Sequence, residues 1–132
     1  KGEGAFLNEK TIKVSDIADL PLAYILMLTG NKTELRDWGA ALYRKLLDRA
    51  NKTRNFASSA LDICFLAAGR VDGVIYGQVT TLDIAPAVGL LLEAGGKITD
   101  EMGQPIKFSN ESSKIVASNG TKLHKELLGL AA

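Results

Sequence analysis

A chain of 132 residues has room for one domain with a core of its own, and too little for two. Its 16 basic and 15 acidic residues leave a net charge of +1 with no run of like charges, so its field attracts neither nucleic acid nor an anionic membrane. With 46% hydrophobic and 23% charged residues the composition is that of an ordinary globular domain, and the single cysteine excludes an internal disulfide framework and fits a reducing cytoplasm.

The apolar segments are too short to span a bilayer, and no signal-peptide pattern opens the chain. It starts at Lys1 without a methionine, and the expectation is a piece of something longer. Lys1 to Ser15 reads as a hairpin: Ala5-Phe6-Leu7, a turn at Asn8-Glu9-Lys10, then Thr11 to Val14 alternating polar and apolar. A lone hairpin is marginal in water, so it is expected to pair with a sheet edge that nothing later in the chain supplies.

Leu22 to Leu28 is a continuous apolar run of strand length, as in strands buried on both faces. Thr33 is placed to cap a helix from Glu34 to Ala50, with Leu35, Trp38, Leu42 and Leu46 on one side. Trp38 reads as packing there. Arg54 to Ala57 is a short strand candidate leading to Ser58-Ser59. Ala60 to Ala68 is apolar nearly all round apart from Asp62, which predicts a buried helix ended by Gly69. Cys64 within it reads as a buried, inert thiol.

Val74-Ile75-Tyr76 is the strand before the stretch on which the chain is centred, Gly73 to Gly96. Thr80-Thr81 leads there into Asp83, followed by a helix over Ile84 to Ala94. Beyond Gly95-Gly96 come a strand at Lys97 to Asp100, a turn at Met102 to Pro105, a strand at Lys114 to Ser118, and a closing helix carrying Leu123, Leu127 and Leu128. Strands alternating with helices argue a layered α/β domain.

Asp83 has two readings. As an N-cap it would accept from the first-turn amides and oppose the positive end of the helix dipole, and Pro86 fits a first turn, where its missing N–H has no helical partner. Alternatively it projects from a strand's carboxyl end, where open α/β sheets place their ligands, and holds a hard cation by oxygen. One carboxylate cannot do that alone. Ser58-Ser59 open a helix whose free amides could bind an anion or hydroxyl groups, or they merely cap it. His124 has no metal-ligand neighbour at suitable spacing and reads as a surface residue of the closing helix. Gly2-Glu3-Gly4 lacks the third glycine of a dinucleotide loop, and no serine lies in a hydrolase elbow.

Several stretches together resemble one family. Gly2-x-Gly4-Ala5-Phe6-Leu7-Asn8 comes first. Ser59-Ala60-Leu61-Asp62-Ile63-Cys64 follows and runs into Ala67-Ala68-Gly69-Arg70-Val71-Asp72-Gly73. Then come Leu82-Asp83-Ile84-Ala85, Glu93-Ala94-Gly95-Gly96-Lys97-Ile98-Thr99-Asp100, and Ile115-Val116-Ala117-Ser118-Asn119. In order and spacing, over essentially the whole chain, these are similar to the C-terminal half of the inositol monophosphatase family.

The resemblance implies an α/β fold with a central mixed, mostly parallel sheet between helices, and a magnesium-dependent, lithium-sensitive phosphomonoesterase acting on inositol or sugar phosphates. It divides the chain into a hairpin, residues 1–15, belonging to a missing N-terminal domain, and a C-terminal α/β domain, residues 16–132. Asp83 matches the family's metal-binding aspartate. Ala57, Ser58 and Ser59 match the segment that meets substrate hydroxyls through its backbone, and Arg54 matches a basic position near the sugar.

There are departures from the family pattern. Leu82 replaces the usual tryptophan, Pro86 a small residue, and Ala57 a common glycine. Tyr76 stands at a substrate-binding position where inositol-specific members carry a glutamate, which puts inositol preference in doubt. The family's other metal ligands lie upstream of the matched region. The expected partners are a phosphorylated small molecule, the N-terminal domain and a second copy in a homodimer, and the isolated chain is expected to be inactive. The alternative is a non-catalytic half or interaction module that assembles with a separate N-terminal chain.

Overall fold

The computed structural model describes all residues from 1 to 132. Its elements in order are β1 (Ala5–Leu7), β2 (Lys10–Ile12), a 3-10 turn (Leu20–Leu22), β3 (Tyr24–Leu28), α1 (Thr33–Arg49), β4 (Lys52–Arg54) and α2 (Ser59–Ala67). They continue with β5 (Gly73–Thr80), α3 (Thr81–Glu93), β6 (Lys97–Asp100), β7 (Ser112–Ser118) and α4 (Leu123–Ala131).

Five strands form one sheet in the order β4-β3-β5-β7-β6. The pairs β3–β4 and β3–β5 are parallel, while β5–β7 and β6–β7 are antiparallel. The sheet is therefore mixed as expected but not mostly parallel: two of its four pairings are parallel, both in the β4-β3-β5 half, because β7 returns antiparallel to both β5 and β6.

Alternation along the strands sends side chains to two cores, because successive Cβ atoms point to opposite faces. Leu26, Val74, Tyr76, Ile115 and Ala117 pack beneath α2 and α3 with Ile63, Leu66, Ile84 and Leu91. Ile25, Met27, Ile75 and Val116 pack on the other face beneath α1 and α4 with Leu42, Leu46, Leu123 and Leu127. Both faces of the central strands are covered, which is why their sequences read as unbroken apolar runs.

Several boundaries differ from the sequence reading for local reasons. Pro21 lies in the 3-10 turn, so β3 starts at Tyr24, and Leu22 is 61% exposed instead of buried in a strand. β4 precedes the predicted Arg54–Ala57 strand, because the backbone turns left-handed at Ala57. β5 runs on past Tyr76 to Thr80 through a register shift against β7 between Tyr76 and Val79. Thr33 is the first helical residue of α1 and Lys32 occupies its N-cap position, without a side-chain bond. Pro86 lies inside α3, beyond its first turn, so the carbonyl four residues back, on Leu82, loses its helical donor.

The hairpin forms with a two-residue turn at Asn8-Glu9, both in the left-handed region. It joins neither edge of the five-stranded sheet. Instead Glu93, at the end of α3, accepts hydrogen bonds from the amides of Gly2 and Gly4 at 2.6 and 3.1 Å, and the Val14 amide bonds the Ala94 carbonyl. Ala5 is buried in the core beneath α3.

His124 corrects the sequence reading outright: it is 3% exposed, with Nε2 3.0 Å from Thr99 Oγ1 and Nδ1 2.8 Å from Ser118 Oγ. It bolts α4 to β6 and β7. Cys64 is half-buried instead of sealed in. Trp38 does pack, its indole N–H donating to the Ala131 carbonyl at 2.9 Å.

Candidate functional site

β3 and β5 are adjacent and parallel, but the chain leaves their carboxyl ends in opposite directions: β3 leads to α1 on one face, β5 to α3 on the other. A crevice opens where two connections diverge in this way, and open α/β sheets bind ligands there. Here it is a cavity of about 330 Å³ lined by Thr29, Gly30 and Asn31 after β3, Thr80 and Asp83 from β5 and α3, and Ser59 from α2. Close packing holds the β3 side in place: a side chain at Gly39 of α1 would collide with Thr29. Gln78, in the irregular part of β5, accepts the Asn31 amide at 3.0 Å.

Asp83 is the third residue of α3, exposed, and the one acidic residue lining the cavity. The helix starts at Thr81 after Thr80, with no side-chain cap, so the N-cap reading of Asp83 does not hold. Its carboxylate faces the crevice from the first turn, where the helix dipole favours negative charge.

Ser58 precedes α2 and likewise gives no side-chain cap, leaving first-turn amides at the cavity edge without a side-chain acceptor. Ala57 just before it has φ +54°, a conformation that glycine adopts freely and alanine does not. The Ala57 amide is turned inward to Asn55 Oδ1 at 2.9 Å.

Of the sequence candidates, then, Asp83 and Ser59 meet at one cavity, with Ser58 and Ala57 next to it in the chain. Arg54 does not reach it. Its guanidinium donates to the Thr53 carbonyl at 2.8 Å and lines a separate cavity of about 510 Å³ with Arg36 and Tyr43, which touches the first through Thr29. Tyr76 is 0% exposed, and its hydroxyl donates to the Ser59 carbonyl at 2.6 Å, so it touches the site only through Ser59.

Under the same turn lies Asp62, also 0% exposed, with neither carboxylate oxygen hydrogen-bonded. Burial pushes its pKa up to about 6, against a smaller opposite pull from the Tyr76 hydroxyl. The sequence reading missed Thr29, Gly30, Asn31, Gln78 and Thr80. Polar residues directly after apolar strands were the available signal for Thr29 to Asn31 and for Thr80, whereas Gln78 faces the cavity only because β5 is irregular there.

No group of three or more His, Cys, Asp and Glu side chains is placed to hold a metal ion. A hydrated magnesium ion takes one or two carboxylates and completes its octahedron with other oxygens. Asp83 fits one arm of such a site, with the hydroxyls of Thr29 and Thr80 on the same walls, and the chain supplies no second carboxylate there.

The inositol monophosphatase family profile matches residues 1–132. Nus factor SuhB of Pasteurella multocida is 36% identical over 106 residues, covering 78% of this chain and 39% of that protein. Inositol monophosphatase 2 of Rattus norvegicus is 33% identical over 125 residues, covering 92% and 42%. The fructose-1,6-bisphosphatase/inositol-1-monophosphatase of Methanocaldococcus jannaschii is 30% identical over 135 residues, covering 98% and 50%.

Among solved structures, the extragenic suppressor protein suhB from Bartonella henselae superposes with a TM-score of 0.88 at 27% identity, covering 99% of this chain and 49% of that one. The inositol monophosphatase from Anabaena superposes with a TM-score of 0.86 at 32% identity, covering 98% and 50%. The chain spans about half the length of the curated relatives it matches.

Proposed function

The chain belongs to the inositol monophosphatase family, and from that premise we propose that it is the C-terminal portion of a magnesium-dependent phosphatase that hydrolyses inositol or sugar phosphate monoesters. The observation that carries this reading is the exposed Asp83 carboxylate in a cavity at a strand divergence, facing the start of α2. In this reading Asp83 holds magnesium together with carboxylates from an N-terminal half that also contains the first hairpin. Magnesium there would offset charge on the phosphoryl oxygens and lower the pKa of the attacking water.

The chain's own residues bind and orient. First-turn amides of α2, next to Ala57-Ser58-Ser59, donate to substrate hydroxyls, the Ala57 amide itself being held by Asn55 Oδ1, and the positive ends of α2 and α3 favour an anionic ester. Arg54 stands at the neighbouring cavity, where it would meet a more distant part of a sugar. Tyr76 is sealed beneath Ser59, so it contributes by holding that turn and not by touching the ring. Tyr76 stands where inositol-specific members carry a glutamate, which puts a preference for inositol in doubt.

No helix is long and apolar enough to cross a membrane. We place the enzyme in the cytoplasm, where a lone half-buried cysteine stays reduced, and a homodimer is part of the same proposal.

The test is a magnesium-dependent phosphate-release assay over a panel of inositol and sugar phosphates. It is run on the chain alone and on the chain joined to a family N-terminal half. Turnover is expected from the joined protein and none from the chain alone. A joined, folded protein that releases no phosphate from any ester removes the catalytic reading and leaves an interaction module.

A further inference from the structure

The first turn of α3 carries Asp83 and is weakly held from within its own helix. Thr80 gives it no side-chain cap, and Pro86, lacking an N–H, leaves the Leu82 carbonyl without its helical donor. What secures the turn comes from another part of the chain. Thr81, the first residue of α3 and 1% exposed, accepts the Ser109 amide on its hydroxyl at 2.8 Å. Its hydroxyl proton goes to the Lys107 carbonyl at 2.9 Å, with the Ser109 carbonyl a longer alternative at 3.2 Å. The Leu82 amide donates to the same Ser109 carbonyl at 3.4 Å.

The segment between β6 and β7 depends on these bonds in turn. Its first part closes on itself, Asp100 Oδ1 accepting the Met102 and Gln104 amides. From Pro105 to Glu111, by contrast, every hydrogen bond to the rest of the fold ends on Thr81 or Leu82. Ile106 packs against the core, Phe108 is exposed, and a cavity of about 700 Å³ separates the segment from Ser113 and Ile115 of β7.

We propose that Thr81 is a positioning residue, a clasp whose hydroxyl joins the first turn of α3 to the 105–111 segment and so holds Asp83 at the edge of its cavity. That Asp83 binds magnesium there rests on the phosphatase reading above; the clasp itself does not.

Thr81 and Asp83 are two residues apart on one turn, so fraying of that turn moves both. Two substitutions separate the hydroxyl from the packing around it. Valine fills the threonine volume but leaves the Ser109 amide and the Lys107 carbonyl without their partner, and serine keeps that partner while losing the methyl. A group that orients a metal ligand from behind is worth about tenfold or more in metal affinity.

The experiment has two arms. In the labelled 132-residue chain, the 13Cα resonances of Leu82 and Asp83 and amide exchange at Leu82 and Ser109 are compared among the parent, Thr81→Val, Thr81→Ser and Ser109→Pro, the last removing the donor from the outer segment. Thr81→Val and Ser109→Pro are expected to move both resonances toward unstructured values and to quicken exchange at Leu82, while Thr81→Ser overlays the parent. Parental resonances in folded Thr81→Val or folded Ser109→Pro overturn the clasp. So does a Ser109 amide that exchanges freely in the parent, even if no variant folds.

In the protein joined to its N-terminal half, the magnesium concentration giving half-maximal phosphate release should rise by about tenfold or more in Thr81→Val. The rate at saturating magnesium should change less, and Thr81→Ser should restore the parental value. An unchanged half-saturation in a protein that turns over sinks the positioning role alone. A joined protein without turnover removes the phosphatase reading, and the resonance and exchange data then decide the clasp by themselves.

Discussion

The Ser118 hydroxyl lies 2.8 Å from Nδ1 of His124, and the rest of the network fixes which nitrogen carries the proton. Thr99 donates its own hydroxyl to the Asp100 carbonyl and therefore accepts from Nε2. His124 is thus a neutral imidazole with its proton on Nε2, and Nδ1 accepts from Ser118. A second ring proton could go only on Nδ1, where it would break the bond accepted from Ser118. Burial, and to a lesser degree the Lys97 charge, push its pKa down to about 4.

That shift fixes the sign of an acid response. The unfolded chain takes up a proton at histidine near its ordinary value of 6.5 and the folded chain only near 4, so this contribution is complete above 6.5 and lost as pH falls through the interval. Asp62 works the other way. Its folded pKa is raised to about 6 from 3.8, so the folded state binds the extra proton and gains stability as pH falls through that window. Going from about pH 7.5 to about pH 5, histidine removes about 2 kcal/mol and aspartate restores about 1 kcal/mol. The unaltered chain should therefore show a shallow acid loss in urea unfolding. His124→Asn should turn that loss into a gain, and Asp62→Asn should steepen it. Parallel pH profiles for all three proteins would refute both assignments.

Ala57 gives a prediction of the opposite kind, a substitution that stabilises. Its φ of +54° lies in the left-handed region, where a Cβ is strained by about 1 to 2 kcal/mol. Glycine removes that strain but enlarges the freedom of the unfolded chain, at a cost of about 0.5 to 1 kcal/mol. Ala57→Gly should raise the unfolding free energy by up to about 1 kcal/mol. A clear decrease in a denaturant titration would show that the methyl group makes a contact worth more than its backbone strain.

Glu93 fastens the first four residues to the end of α3 through the Gly2 and Gly4 amides, and those two bonds are the main reason its pKa is lowered. A carboxyl held below its unfolded value stabilises above that value and lets go as pH falls through the folded one. Glu93→Gln keeps a weaker neutral acceptor and Glu93→Ala keeps none. Amide exchange at Gly2 and Gly4 should quicken slightly in the first and strongly in the second, with β3 and β5 unchanged. Equal exchange in all three proteins would mean the hairpin is held by Ala5 and the Val14–Ala94 bond instead.

Much of this architecture was visible in the residues. Apolar runs marked β3 and β5, alternation marked the hairpin, and three- and four-residue spacing marked α1, because burial on one or two faces writes those periods directly into sequence. Contacts made across long sequence separations were not visible. His124 looked like a surface residue because its partners, Thr99 and Ser118, come from other elements, one of them 25 positions away. Tyr76 was given a substrate role only through the resemblance, because it stands where inositol-specific members carry a glutamate, whereas its burial under Ser59 depends on how α2 crosses the strand. At the site, Asp83 could be singled out as a carboxylate at a strand-to-helix junction. Its neighbours Thr29 to Asn31 lie more than fifty positions away and come to it only through the β3–β5 pairing.

Asp83 itself carries the decisive substitution. It is exposed, outside both cores, and caps no helix, so replacing it with asparagine removes one negative charge from the cavity and little else. A surface change of this kind alters stability by no more than about 0.5 kcal/mol. Its effect on magnesium should be far larger, since a neutral amide in place of a carboxylate withdraws a charged oxygen from an ion that gives up its waters reluctantly. In the protein joined to its N-terminal half, Asp83→Asn should abolish magnesium-dependent phosphate release while its unfolding curve overlays that of the parent. Asp83→Glu keeps the charge but moves the oxygens outward by a methylene, and should retain weak activity at raised magnesium. Full turnover by the asparagine variant would take Asp83 out of the metal site, whatever the fold resembles.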